Sequence, residues 1–151
     1  MLVLDTPVLA ALMQPAPDAR VLSWLDAQAP ASVWTTALSV TELEAAVDRV
    51  PDAARRERAA AALAAVLSED LGSRVLAFDR AAASASAVLA AGERRAGREL
   101  STRDALLAGM VVARRGTLAT AEAERFTRLG VRALDPWQAA PAGHSARRSS
   151  A

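Results

Sequence analysis

Cysteine is absent from this 151-residue chain. It can therefore form no disulfide, no thiolate metal site and no cysteine nucleophile. Histidine occurs once, as His144 in a polar C-terminal stretch, so a histidine-based zinc site or a Ser-His-Asp triad lacks a plausible base. Lysine and tyrosine are missing altogether. All 18 basic residues are Arg, and with 17 acids they leave a formal net charge of +1. A bulk electrostatic binder of nucleic acid carries a strong basic excess, which this chain does not have. Binding at one focused site stays open. The longest apolar run, Ala59 to Leu67, is too short to span a bilayer and is flanked by charge. The start Met1-Leu2-Val3-Leu4-Asp5 has an acid and no basic residue, so no ordinary signal peptide is expected. The expectation is a soluble, cytoplasmic protein without membrane contact.

What is present is apolar but small. The chain is 52% hydrophobic and only 3% aromatic, and 39 residues are Ala. Its core must be built from short aliphatic side chains on closely packed helices. The length suits one domain. We place that domain at residues 1–137. From residue 138 to 151 the composition is mostly Ala, Pro, Gly, Ser and Arg, which predicts a disordered tail. Without the segment from residue 141 onward, which holds Arg147 and Arg148, 16 Arg face 17 acids and the net charge is −1.

Leu2-Val3-Leu4 is a continuous apolar run, as expected of a strand buried on both faces of a parallel sheet. Pro7 opens a short helix, and a second begins near Pro17 with Val21, Trp24 and Leu25 on one face. Residues 32–36 read as a second strand. Ser39-x-x-Glu42 then matches a capping box. Ala53 to Ser68 reads as a helix and Arg74 to Phe78 as a third strand. Asp79 is a good N-cap for a helix from Arg80 to Arg95. Ser101 and Thr102 are candidate caps of another helix, and residues 117–120 and 131–134 read as a fourth and a fifth strand. Strands alternating with helices predict an α/β domain of three layers, α/β/α, around a mostly parallel sheet of about five strands.

In such sheets ligands bind at the carboxyl ends of the strands. Four acids fall there: Asp5 after the first strand, Glu42 and Asp104 in the first turns of helices, and Glu122 just after the fourth strand. For Glu42 and Asp104 the helix dipole is an ordinary explanation, and Glu122 reads equally as a solvated loop acid. Asp5 is harder to explain away, because its position offers no cap and no evident Arg partner.

Leu4-Asp5-Thr6-x-Val8, Leu38-Ser-x-Thr41-Glu42-Leu43, Arg103-Asp104-Ala-Leu-x-Ala108 and Leu118-Ala-Thr120 resemble, in that order, the PIN-domain family. The run from Phe126-x-x-Leu-Gly130-Val131 to Asp135-Pro136-Trp137 resembles the family's usual ending. The Pro-x-Pro turn before Val21-x-x-Trp24-Leu25 is similar to the VapC-type, FitB-like toxins. The resemblance covers residues 1 to about 137. It implies a Mg²⁺- or Mn²⁺-dependent endoribonuclease, the toxin of a type II toxin–antitoxin pair. It implies Asp5, Glu42, Asp104 and Glu122 as its catalytic acids. It further implies a homodimer and a cognate VapB-type antitoxin. Two departures stand out: Pro7 where the family commonly has Asn or Ser, and Thr120-Ala121-Glu122 where it typically reads Thr-Arg-Asn or Thr-Arg-Asp.

An oxygen-only acid set suits Mg²⁺ or Mn²⁺ better than zinc, and a divalent cation relieves the mutual repulsion of clustered carboxylates. Asp5 and Asp104 are the expected direct metal ligands, with Thr6 and Thr120 hydrogen-bonding ligand oxygens or waters. Arg103 and Arg125 are candidates for RNA phosphates. The aromatic residues Trp24, Trp34, Phe78, Phe126 and Trp137 all sit in apolar patterns and are expected in the core. The competing reading is an interaction module that keeps the fold with a weakened site. A phosphatase using Asp5 as nucleophile is disfavoured, because Pro7 stands where that chemistry requires a second Asp.

Overall fold

In the computed structural model, which describes residues 1–139, the apolar run Leu2–Leu4 is the middle strand, β1. The strands β2 (Val33–Thr36), β3 (Val75–Leu76), β4 (Thr117–Ala119) and β5 (Ala133–Leu134) complete a sheet in the order β3-β2-β1-β4-β5, with every pairing parallel. The helices are α1 (Thr6–Leu12), α2 (Ala19–Asp26), α3 (Ala37–Asp48), α4 (Ala53–Ala65), α5 (Arg80–Arg95), α6 (Thr102–Ala113) and α7 (Ala123–Arg128). The expected tail, apart from Gln138 and Ala139, lies outside the described residues, as does His144.

Alternation along β1 divides the core. Leu2 and Leu4 pack with Val8, Leu9, Val21, Leu43 and Leu63 on one face. Val3 packs with Leu107, Met110, Val111, Leu118 and Phe126 on the other. All three β1 side chains are buried, which is why the run is apolar without alternation. The second layer depends on a close approach. A Cβ placed on Gly109 of α6 would lie 2.0 Å from Ser86 Oγ and 2.6 Å from the Ala82 carbonyl oxygen of α5. The small-residue face of α5 is thus used within the fold.

Three expectations need correction. β3 is shorter than the run Arg74 to Phe78, and Phe78 is 44% exposed and not in the core. The other aromatics are buried or packed against the core. The predicted helix Ala53 to Ser68 ends as α4 at Ala65 and continues as a wide π turn, Val66–Asp70. The helix after β2 starts without a loop, so Thr36 is its N-cap and accepts the Ser39 N–H. Ser39-x-x-Glu42 is therefore not a capping box, and Glu42 sits in the second turn of α3 with its side chain free for other partners.

Successive crossovers β1–β2–β3 run to one side of the sheet, whereas β4 returns to the other side of β1. The strand order therefore reverses between β1 and β4. The crevice beyond the carboxyl ends of strands at such a reversal is where α/β sheets bind ligands. Asp5 follows β1 there, and Thr120 follows β4.

Candidate active site

Asp5 ends β1 and begins α1. Its N–H bonds the Ala119 carbonyl at 3.0 Å, extending the sheet pairing, and its Oδ1 accepts the Thr6 N–H at 2.8 Å as the helix N-cap. Thr120, completely buried, donates its hydroxyl to Asp5 Oδ2 at 2.8 Å. Arg103 Nη2 donates to Asp5 Oδ1 at 2.6 Å. Asp5 thus has both the cap and the Arg partner that its sequence position did not reveal. Pro7, in the first turn of α1, needs no backbone donor there.

Asp104 lies in the first turn of α6, as expected. Ser101 is the cap: its Oγ accepts the Asp104 N–H at 3.1 Å and donates to Asp104 Oδ2 at 2.6 Å. Arg125 of α7 also donates to Asp104 Oδ2, and Arg103 Nη1 lies 3.5 Å from Oδ1. Asp5 and Asp104 are each 1% exposed. A carboxylate so buried requires hydrogen bonds or an opposite charge, and both residues have them.

Glu42 reaches the same place from α3. Its Oε1 accepts from Arg103 Nε at 2.7 Å, and its Oε2 accepts from Arg103 Nη2 at 3.0 Å and from the Thr6 hydroxyl. The Arg103 fork, aided by Thr6, holds the Glu42 carboxyl below its ordinary range against the opposing effect of burial. Reciprocally, the carboxylates raise the Arg103 guanidinium further above its already high value.

Glu122 is different. Its side chain is 53% exposed and its carboxylate meets Arg125 Nη1 at 3.1 Å. Its backbone N–H bonds Thr120 Oγ1 at 3.2 Å, which links it to Asp5 only through the threonine. Asp5, Thr6, Glu42, Ser101, Arg103, Asp104, Glu122 and Arg125 line one shallow, open depression of about 420 Å³. The structure thus gathers all four acids, both threonines and both arginines at one edge, with Asp5, Glu42 and Asp104 around a single guanidinium. Arg103 and Arg125 turn inward onto the acids. Ser101 caps α6 as expected; its bond to the Asp104 carboxylate was not foreseen, and its signal was the Ser-x-x-Asp spacing at a helix start.

Residues 2–132 match the model of the PIN domain. The chain belongs to the PIN-domain family. It is similar to the plasmid stability protein StbB of Pseudomonas syringae pv. tomato, at 34% identity over 92% of this chain and 100% of the relative. It is also similar to the VapC ribonuclease Y4jK of Sinorhizobium fredii, at 32% identity over 93% of this chain and 100% of that one. The crystal structure of FitAcB from Neisseria gonorrhoeae superposes with a TM-score of 0.79 at 26% identity, covering 92% of this chain and 100% of that chain.

In this PIN domain the donor set is chemically suited to a hard divalent cation. It consists of carboxylate oxygens with threonine and serine hydroxyls close by, and three of the carboxylates already surround one cationic group. As the side chains stand, however, no three His, Cys, Asp or Glu among the described residues are grouped to hold a metal ion. Arg103 lies between them. No helix among the described residues is long and apolar enough to cross a membrane.

Proposed function

We propose that this PIN domain is a Mg²⁺- or Mn²⁺-dependent endoribonuclease, the toxin of a VapBC-type pair acting on RNA in the cytoplasm. The observation that carries this reading is the convergence of Asp5, Glu42 and Asp104, from three separate elements, on one cationic position at the strand-order reversal. The similarity to a VapC ribonuclease supports the reaction class.

Asp5 and Asp104 would hold the cation, and Glu42 would hold it or orient a water. When bound, the metal makes water a better nucleophile and offsets negative charge on the phosphodiester. The chain's own groups set up that chemistry. Thr120 and the Thr6 N–H fix the Asp5 carboxylate, and Ser101 fixes that of Asp104. Thr6 steadies Glu42. Glu122, half exposed at the rim, acts as an outer acid. Arg103 and Arg125, paired with the site's acids, would meet phosphates once they leave the carboxylates. The proposed partners are the RNA substrate, a VapB-type antitoxin and a second copy of the chain.

The Arg103 and Arg125 contacts favour a second reading, a PIN-fold interaction module with weakened catalysis, because they neutralise acids that a metal would need. Incubation of the purified chain with RNA separates the two. Endonucleolytic cleavage with Mn²⁺ or Mg²⁺ that stops on chelation supports the nuclease. Absence of cleavage together with absence of Mn²⁺ binding by calorimetry supports the module.

A further inference from the structure

The Arg103 side chain is 30% exposed, yet it contacts two of the site's carboxylates by hydrogen bond or ion pair and lies within 3.5 Å of a third. Its Nη2 serves Asp5 and Glu42 together, and its Nε completes a fork on Glu42. This is the geometry a guanidinium adopts when it matches carboxylates in two directions at once. The residue directly precedes Asp104, so the backbone that places the acid also places the cation. Around it, each acid has other support: Asp5 has Thr6 and Thr120, Asp104 has Ser101 and Arg125, and Glu42 has Thr6. Asp5 and Glu42 have no other cationic partner among the described residues. Without Arg103, two carboxylates that share the Thr6 side of the depression would face each other uncompensated.

We propose that Arg103 is a built-in counter-ion that occupies the cation position in the metal-free chain and competes with the divalent metal for Asp5 and Glu42. This rests on the metal-dependent reading above and adds a regulatory consequence. The metal-free domain is folded with its acids satisfied. For a metal to be held there, the guanidinium would swing out through its exposed side and become a free cation at the rim where a phosphate would arrive. Apparent metal affinity is the intrinsic affinity scaled by the fraction of chains with Arg103 outside. If that fraction is about a tenth, removing the guanidinium tightens binding about tenfold.

The test is Mn²⁺ titration by calorimetry of the full wild-type chain, Arg103→Gln and Arg103→Lys, with thermal melts in chelator and in Mn²⁺. Arg103→Gln is expected to bind Mn²⁺ about tenfold or more tighter than wild type. That variant is also expected to melt lower than wild type in chelator and to gain more from Mn²⁺. Arg103→Lys, which keeps the charge but loses the fork, is expected to bind with intermediate affinity, and it decides the matter if the Gln variant does not fold. Equal or weaker Mn²⁺ binding by the variants overturns the counter-ion role while leaving the metal site standing. Absence of Mn²⁺ binding by wild type and variants alike overturns the metal-dependent reading itself.

Discussion

Arg103 Nη2 lies 2.6 Å from Asp5 Oδ1, joining residues 98 positions apart. The contact ties the first turn of α6 to the end of β1. It places a positive charge where the strand order reverses, and with Arg125 it offsets part of the charge of the four acids there. The low net charge of the chain therefore hides a local pairing of acids and arginines.

Thr120 serves the site through Asp5. Replacing it by Val keeps the shape but removes the hydroxyl that donates to buried Asp5 Oδ2 and accepts from the Glu122 N–H. Thr120→Val is expected to lower stability by about 1–3 kcal/mol in urea unfolding, the usual cost of a buried polar group left short of a partner. A variant as stable as wild type would show that the Asp5 carboxylate finds another donor.

Gly109→Ala tests the α5–α6 contact. In an open helix this change gains about 1 kcal/mol from propensity. Here the new Cβ would fall 2.6 Å from the Ala82 carbonyl oxygen and 2.7 Å from the Ser86 nitrogen, both backbone atoms that cannot move alone. Overpacking should win, with a net loss of about 2 kcal/mol in denaturant unfolding. A stabilised variant would contradict the close approach.

Asp79 caps α5 by accepting the Ala82 N–H at 2.9 Å and pairs with Arg114 at 2.7 Å. The cap bond first, and Arg114 after it, hold its carboxyl below the ordinary 3.8. A carboxyl lowered on folding stabilises above its unfolded value and loses that contribution as pH falls through the folded one. The stability gap between wild type and Asp79→Ala should therefore be full at neutral pH and close as pH drops below 3.8. A gap that persists unchanged in strong acid would show that the Asp79 charge does not stabilise the helix start.

Glu122 is the outermost acid. Because its carboxylate pairs with Arg125 alone among the described residues and is half exposed, Glu122→Gln is expected to reduce RNA cleavage far less than loss of Asp5, and to leave Mn²⁺ binding within about a few-fold of wild type. A loss as large as that of an Asp5 variant, read as initial cleavage rates, would move Glu122 into the metal's immediate surroundings.

Much of the frame was legible because its signals are local. The unbroken apolar run Leu2–Leu4 identified the central strand, Asp79 and Ser101 announced helix starts, and the acids stood at element ends where a parallel sheet gathers them. What escaped was set by distant contacts or by very short elements. Arg103 meets Glu42 across 61 residues, so no spacing marks it as the common partner of two acids. Glu42 matched a capping box by type, but Thr36 began the helix earlier and freed it. Helix α7 is six residues long, too short for a periodic pattern, and Phe126 alone anchors it in the core. Phe78 read as core from its apolar neighbours, yet the strand stops at Leu76 and leaves it outside.

The proposed metal-dependent ribonuclease activity rests on the carboxylates of Asp5 and Asp104. The most direct measurement compares single-turnover cleavage of RNA in Mn²⁺ by wild type, Asp5→Asn and Asp104→Asn, each checked for folding by its melting curve. Asn can still cap α1 and fill the same volume, so both variants should fold. Wild type is expected to cleave in a way that chelator abolishes, and both variants at rates at least about 100-fold lower, as for loss of groups at the reacting centre. Folded variants that cleave as fast as wild type would contradict the role of these carboxylates.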